Sequence, residues 1–222
     1  MTITLAEKIS LSCSRLAQIY NEYGSNVAVG WTGGKDSTVV LYLWRNFLAE
    51  VAPDMSVRAI NVDTGCKFPE VLAFRDQWAR AWNIDVQVAR PDFDLSRYPL
   101  AADPISCCGD LKIKPLQAMI SKLGIAALLT GVRADEHPDR AQRSWLEEYD
   151  DHLRALPILE WTELDIWTFH VKNSIPWCSL YNQGYRSLGC VPCTSSSGKG
   201  ERSGRDSRKE AQMEQLRSLG YF

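Results

Sequence analysis

The sequence predicts a single α/β domain, a parallel sheet with helices on both faces and an irregular C-terminal tail. Two observations carry this reading. Short apolar runs of strand length alternate with longer apolar segments of helix length. Gly-bearing turns fall directly after those runs, where a ligand crevice forms in such folds. The 222 residues suffice for one well-formed domain, and a chain of this size buries roughly 70% of the surface its unfolded form exposes.

Taken in order, Met1 to Gln18 sets Glu7, Lys8 and Arg15 among apolar positions, which suits an amphipathic helix better than an export signal. Asn26 to Trp31 is a strand, and Ser37 to Trp44 continues as a helix. Ser56 to Asp63 reads as a second strand and Pro69 to Trp82 as a helix. Ile84 to Ala89 alternates as a third strand. Lys112 to Leu123 is a helix stopped by Gly124, and Ala126 to Gly131 is a fourth strand. Cys190 to Arg208, rich in Gly, Ser and charge, reads as loop or mobile tail. The expected divisions are an N-terminal helix over 1–25, a nucleotide-binding core over 26–194 and a basic tail over 195–222.

A composition of 45% hydrophobic and 23% charged residues excludes a mainly disordered chain. The net charge of −2 excludes a polycation, so nucleic-acid binding would need a local basic patch or a partner. No apolar run reaches the roughly 18 residues of a membrane span. Seven cysteines, an odd number without an export signal, predict cytoplasmic thiols rather than disulfides.

Three motifs end at one sheet edge. Thr32-Gly33-Gly34-Lys35-Asp36-Ser37 stands at a strand-to-helix turn, where glycines admit a phosphate, the helix start aims N–H groups at it and Lys35 adds charge. The spacing is not that of a Walker A loop. Asp63 closes the second strand and could hold a nucleotide hydroxyl or magnesium, or cap the next segment. In Thr130-Gly131-Val132-Arg133, the arginine could clamp a phosphate or sulfate, or pair with Asp135 or Glu136.

Cys107-Cys108 and Cys190-Val-Pro-Cys193 form the second signal, since four thiolates suit zinc or a [4Fe–4S] cluster. Adjacent cysteines converge poorly on one zinc ion, which favours the wider cluster. Cys13, Cys66 and Cys178 have no partner at metal spacing and read as buried apolar thiols.

Trp31 to Ser37 resembles the pyrophosphate loop of the adenine-nucleotide alpha-hydrolase group, Rossmann-like enzymes that split ATP into AMP and pyrophosphate. With Val62-Asp-Thr-Gly65, Phe68-Pro-Glu70, Gly131-Val-Arg133, Trp161-Thr-Glu-Leu-Asp-Ile-Trp167 and Gly189-Cys190-Val-Pro-Cys-Thr194, the chain resembles the phosphoadenosine phosphosulfate (PAPS) reductase family from about Asn26 to Arg205. The resemblance implies a [4Fe–4S] cluster on Cys107, Cys108, Cys190 and Cys193. It also implies that Gly200 to Arg205 covers a bound sulfonucleotide.

Two departures steer the expectation. Reductases of this family attack sulfur with a Cys near the C-terminus, and no Cys follows Cys193 here; the loop, usually degraded in reductases, keeps Gly-Gly-Lys-Asp-Ser. Together they resemble the sulfur-incorporation branch of DndC and SspD, the ATP pyrophosphatases of DNA phosphorothioation. The implied site binds ATP through Thr32, Gly33, Gly34, Lys35, Asp36, Ser37, Asp63, Gly131 and Arg133, with Lys35, Asp36, Ser37 and Arg133 catalytic. Mg2+ would sit near Asp36 and Asp63, and a cysteine desulfurase would donate sulfur. DNA would be gripped by Lys199, Arg202, Arg205, Arg208 and Lys209 or by partner subunits, in a homo-oligomer or multi-protein complex. The alternative expectation is a sulfonucleotide reductase that uses an external thiol.

Overall fold

A computed structural model describes residues 3–196 and 200–221. The first helix, α1 (Leu5–Tyr23), starts at a reciprocal cap in which Glu7 N donates to Thr4 Oγ1 and Thr4 N to Glu7 Oε2. After it, β1 (Val27–Gly30), α2 (Lys35–Val51), β2 (Val57–Val62), α3 (Pro69–Ala81) and β3 (Ile84–Ala89) alternate as expected. Next come α4 (Pro104–Cys108), a π-helical turn over Gly109–Ile113, α5 (Lys114–Leu123) and β4 (Ala127–Leu129). The chain closes with α6 (Pro138–Ala141), the strands β5 (Leu146–Glu148) and β6 (Leu153–Ala155), α7 (Glu163–Lys172), α8 (Ser207–Glu210) and α9 (Met213–Ser218).

The six strands run β3-β2-β1-β4-β6-β5, all neighbours parallel except the edge pair β5–β6. From β1 the chain steps outward to β2 and β3 and then returns to lay β4 on the other side. The order therefore reverses between β1 and β4, the place where open α/β sheets bind ligands.

Alternation along each central strand builds two cores. Val27, Val29, Val57, Ala59, Ala127 and Leu129 face the helices α1, α2 and α7, where Leu16, Trp44 and Phe169 are buried. Ala28, Ile60, Val62, Ala89 and Leu128 face Leu116 and Ile120 of α5. Both faces of the sheet are covered, as the sequence predicts.

Residues 200–221 depart from the expectation of a loose tail. They fold back as α8 and α9, burying Lys209, Met213 and Leu216. Arg154 on β6 holds the far end by donating from Nη2 to Gly220 O at 3.0 Å. Among the described residues, no helix is long and apolar enough to cross a membrane.

Candidate active site

The turn after β1 closes on itself. Gly33 takes φ 81°, and a Cβ there would meet Val71 Cγ1 at 3.0 Å. Its polar groups are satisfied locally: Gly34 N donates to Thr32 Oγ1 (3.3 Å), Thr32 N to Ser37 Oγ (3.2 Å) and Lys35 N to Tyr181 Oη (2.9 Å). Gly131, at the end of β4, lies against the start of α2. A Cβ on it would stand 2.6 Å from Ser37 N, so this glycine brings the third motif against the first.

Lys35 and Arg133 converge beside this turn, both buried. Asp36 bridges them, accepting from Lys35 Nζ at 3.1 Å and Arg133 Nε at 2.7 Å. The second bridge comes from Glu201, whose Oε1 accepts from Lys35 Nζ and Arg133 Nη2, each at 2.5 Å. Burial opposes the charge on Lys35, but Asp36, Tyr181 and Glu201 more than offset it and push its pKa up. Arg133 behaves alike, with Asp36, Glu136 and Glu201 outweighing burial. Asp36, Glu136 and Glu201 carry carboxylate oxygens within 4.8 Å of one another. That acidic group is balanced by Lys35, Arg133, Arg140 and Arg202. Asp63 is engaged elsewhere: Oδ1 accepts from Gly65 N at 3.1 Å, closing the turn, and Oδ2 pairs with Arg90. This is a turn local to the loop after β2; the N-cap of α3 is Phe68, so Asp63 does not cap that helix.

Beside the turn lies a cavity of about 130 Å³ bordered by Gly34, Lys67, Lys112, Gly189, Arg205 and Tyr221. Asp36, Ser37, Glu136, Arg140 and Arg202 line it as well. Arg205 is buried, yet among the described residues its Nε and Nη1 find no hydrogen-bond acceptor, and it packs so closely over Gly189 that a Cβ there would fall 2.3 Å from Nη1. Burial, reinforced by Lys112, pulls the Lys67 ammonium down to about 8. Lys209 Nζ donates to Tyr221 Oη at 2.5 Å. Burial opposes ionisation of that phenol, but Lys112, Lys209 and Arg205 bring it down to about 7. Such a pocket is built for an anion.

All four predicted cysteines gather at the next recess. Cys107 and Cys108 on α4 and Cys190 and Cys193 in the turn over Val191–Cys193 border one small cavity, together with Cys66 and Lys112. A backbone bridge between Lys67 and Cys190 ties this turn to the loop after β2. Burial opposes the Cys190 thiolate, but Lys112, Lys67 and the Thr64 hydroxyl, 3.3 Å from Sγ, bring it down to about 7. Tetrahedral zinc would set sulfurs about 3.8 Å apart. Among the described residues no three cysteine sulfurs lie within 4.8 Å of one another, so the four are not gathered as closely as tetrahedral zinc requires.

The structure thus assembles Thr32, Gly33, Gly34, Lys35, Asp36, Ser37, Gly131 and Arg133 around one turn, and the four cysteines around a neighbouring recess. Of the tail cations proposed for DNA, Arg205 and Lys209 are buried inward and Arg202 is paired with Glu136 and Glu210. Arg208 is exposed, and Lys199 lies outside the described residues. Sequence reasoning missed Lys112, although it follows Cys108 by one helical turn. It also missed Lys67 and Tyr221, which reach the site only through long-range folding. Cys66, read as a buried apolar thiol, is half-buried at the cysteine recess, and Cys13 is exposed. Glu201 lies in the segment expected over the nucleotide but was given no role of its own.

Comparisons place this geometry. The chain is 28% identical over 186 residues to adenosine 5'-phosphosulfate reductase of Staphylococcus haemolyticus, covering 79% of this chain and 73% of that one. It is 30% identical over 220 residues to adenosine 5'-phosphosulfate reductase 1 of Bacillus subtilis, covering 92% and 90%. Its fold matches the crystal structure of PAPS reductase from Candida auris with TM-score 0.69 at 16% identity, over 89% of this chain and 99% of that one. These relatives overturn the expectation of ATP cleavage for DNA phosphorothioation and favour the sulfonucleotide alternative. In this structure Lys35 and Arg133 are each paired with Asp36 and Glu201. The phosphoadenosine phosphosulfate reductase domain model matches residues 26–196, and the chain belongs to that family.

Proposed function

We propose that this chain reduces adenosine 5'-phosphosulfate, using a thiol supplied from outside the domain. The observation that carries the reading is the buried Arg205, unsatisfied at Nε and Nη1 among the described residues, which borders one cavity with Lys67, Lys112 and the β1 turn. A sulfonucleotide brings one phosphate and one sulfonate, and Arg205, Lys67 and Lys112 offer donors for both. Reaction begins when an external thiolate attacks the sulfonate sulfur. The S–O bond to the phosphate breaks, AMP leaves with the electron pair, and a thiosulfonate forms on the attacking sulfur. A second thiolate attacks that sulfur, forming a disulfide and releasing sulfite. Both steps develop negative charge on oxygen, which the buried cations stabilise without reorganising. Lys67, which borders the cavity, offers its ammonium to the charge that develops on the departing phosphate.

Cys107, Cys108, Cys190 and Cys193 would hold a [4Fe–4S] cluster. When bound, it supplies a compact charged anchor beside the anion pocket, with Lys112 between the two. The test is direct. Anaerobically prepared protein given adenosine 5'-phosphosulfate and a dithiol should yield AMP and sulfite in equal amounts. Absence of sulfite, with the nucleotide bound, rejects the reading. Iron and acid-labile sulfide assays check the cluster, and Cys190→Ser should lose both.

A further inference from the structure

Sulfonucleotide reduction leaves the best-formed part of the β1 turn without a task. The Gly33-Gly34-Lys35 turn has the chemistry of a diphosphate cradle, whereas adenosine 5'-phosphosulfate has no phosphates beyond the first. Glu201 resolves the conflict. It is carried by the segment that also sets Arg202 and Arg205 at the cavity, and its side chain is only 9% exposed. One of its oxygens accepts from both Lys35 Nζ and Arg133 Nη2 at 2.5 Å. Those are the two buried cations to which the terminal phosphates of a nucleoside triphosphate would bind. Tyr181 Oη, Thr32 Oγ1 and Ser37 Oγ take up the neighbouring amides in the same way.

We infer that Glu201 is a specificity-determining residue: its carboxylate stands in for the terminal phosphates and closes the turn to ATP. The cation cluster next to the cysteines is left for the shorter, two-anion tail of a sulfonucleotide. This inference rests on the reductase reading and adds the element that rejects the cell's most abundant adenine nucleotide. The physics is like-charge exclusion. ATP would have to expel a buried carboxylate from two cations or place its own phosphates against it, and either event costs affinity. Adenosine 5'-phosphosulfate meets neither obstacle.

Equilibrium dialysis of the full chain against ATP and against adenosine 5'-phosphosulfate tests it. The unmodified protein should prefer the sulfonucleotide. Glu201→Gln, which removes the charge and keeps the shape, should shift the affinity ratio towards ATP by about tenfold or more. Glu201→Asp, which restores the charge, should return the ratio towards that of the unmodified chain. An unchanged ratio in Glu201→Gln overturns the inference. Equal affinity of the unmodified chain for the two nucleotides also overturns it, and that measurement stands even if Glu201→Gln fails to fold. Sulfite formation by the unmodified chain decides the reductase reading separately, because it does not depend on how ATP binds.

Discussion

Gly131 and Gly189 both lack room for a side chain, yet the obstacles differ in kind. A Cβ on Gly131 would lie 2.6 Å from Ser37 N and 2.9 Å from Ser37 Cα, so backbone would have to move. Gly131→Ala should therefore cost about 1–3 kcal/mol of stability, read as a lowered denaturant midpoint. The nearest atoms to a Cβ on Gly189 would be those of the Arg205 guanidinium, the far end of a flexible side chain. Gly189→Ala should fold with little change in midpoint, because Arg205 borders the cavity and can turn into it without losing a hydrogen bond from Nε or Nη1. Its affinity for adenosine 5'-phosphosulfate should nevertheless fall by roughly tenfold, the size of one charge-assisted hydrogen bond. Equal effects of the two substitutions on stability would show that Arg205 is a structural strut and not a ligand group.

At the scale of elements, α7 is pinned to the β1 turn through His170, whose Nε2 lies 3.0 Å from Lys35 O and Nδ1 3.2 Å from Ile175 O. Burial pushes this imidazole below its ordinary range, against the pull of the two carbonyls. The unfolded chain takes up a proton near pH 6.5, and the folded chain does so only at lower pH. Between those values the unfolded state binds more protons, so stability falls as pH drops through about 6.5. His152, also lowered by burial, adds to the same slope. Melting temperature followed across that range should decline towards acid, and His170→Gln should make the decline shallower; an unchanged slope would discount the linkage.

The legibility of the elements follows the same physics. Central strands such as Val27–Gly30 announce themselves by apolar residues on both faces, and Gly124 marks the end of α5 at φ 62°. The strand Leu146–Glu148 carries no such mark, because its Glu147 is held by Arg143 and Arg217 from other segments. The tail was illegible for a related reason. Its charges look solvated in sequence, but Arg202 is paired with Glu210 and Lys209 with Tyr221, and pairing turns a polar stretch into packed helices. The β1 turn and the four cysteines were readable from local spacing. Glu201, Cys66 and Tyr221 have no local signature and enter the site from three separate loops.

For the molecule as a whole, the cysteine recess is the junction of segments that the main core does not reach. Cys108 packs with Met213, Leu216 and Tyr221, joining α4 to α9. Cys190 pairs through backbone with Lys67, and Val191 N donates to Cys66 O at 2.8 Å, joining the 190–193 turn to the loop after β2. The large core around Trp44, Leu16 and Phe169 includes none of Cys107, Cys108, Cys190 or Cys193. A metal group binding only the folded arrangement stabilises it by mass action, so its removal should act on the junction first. Stripping iron with a chelator should lower the melting temperature and open residues 190–221 to protease, while far-ultraviolet circular dichroism keeps most of its helix and sheet signal. Arg205 and Glu201 ride on that segment, so nucleotide selectivity should be lost together with the protease resistance. If iron removal leaves the protease pattern of 190–221 unchanged, the cysteines do not hold the anion pocket together. The tail would then be fixed by its ion pairs with the core, by Arg154 and by the packing of Met213 and Leu216.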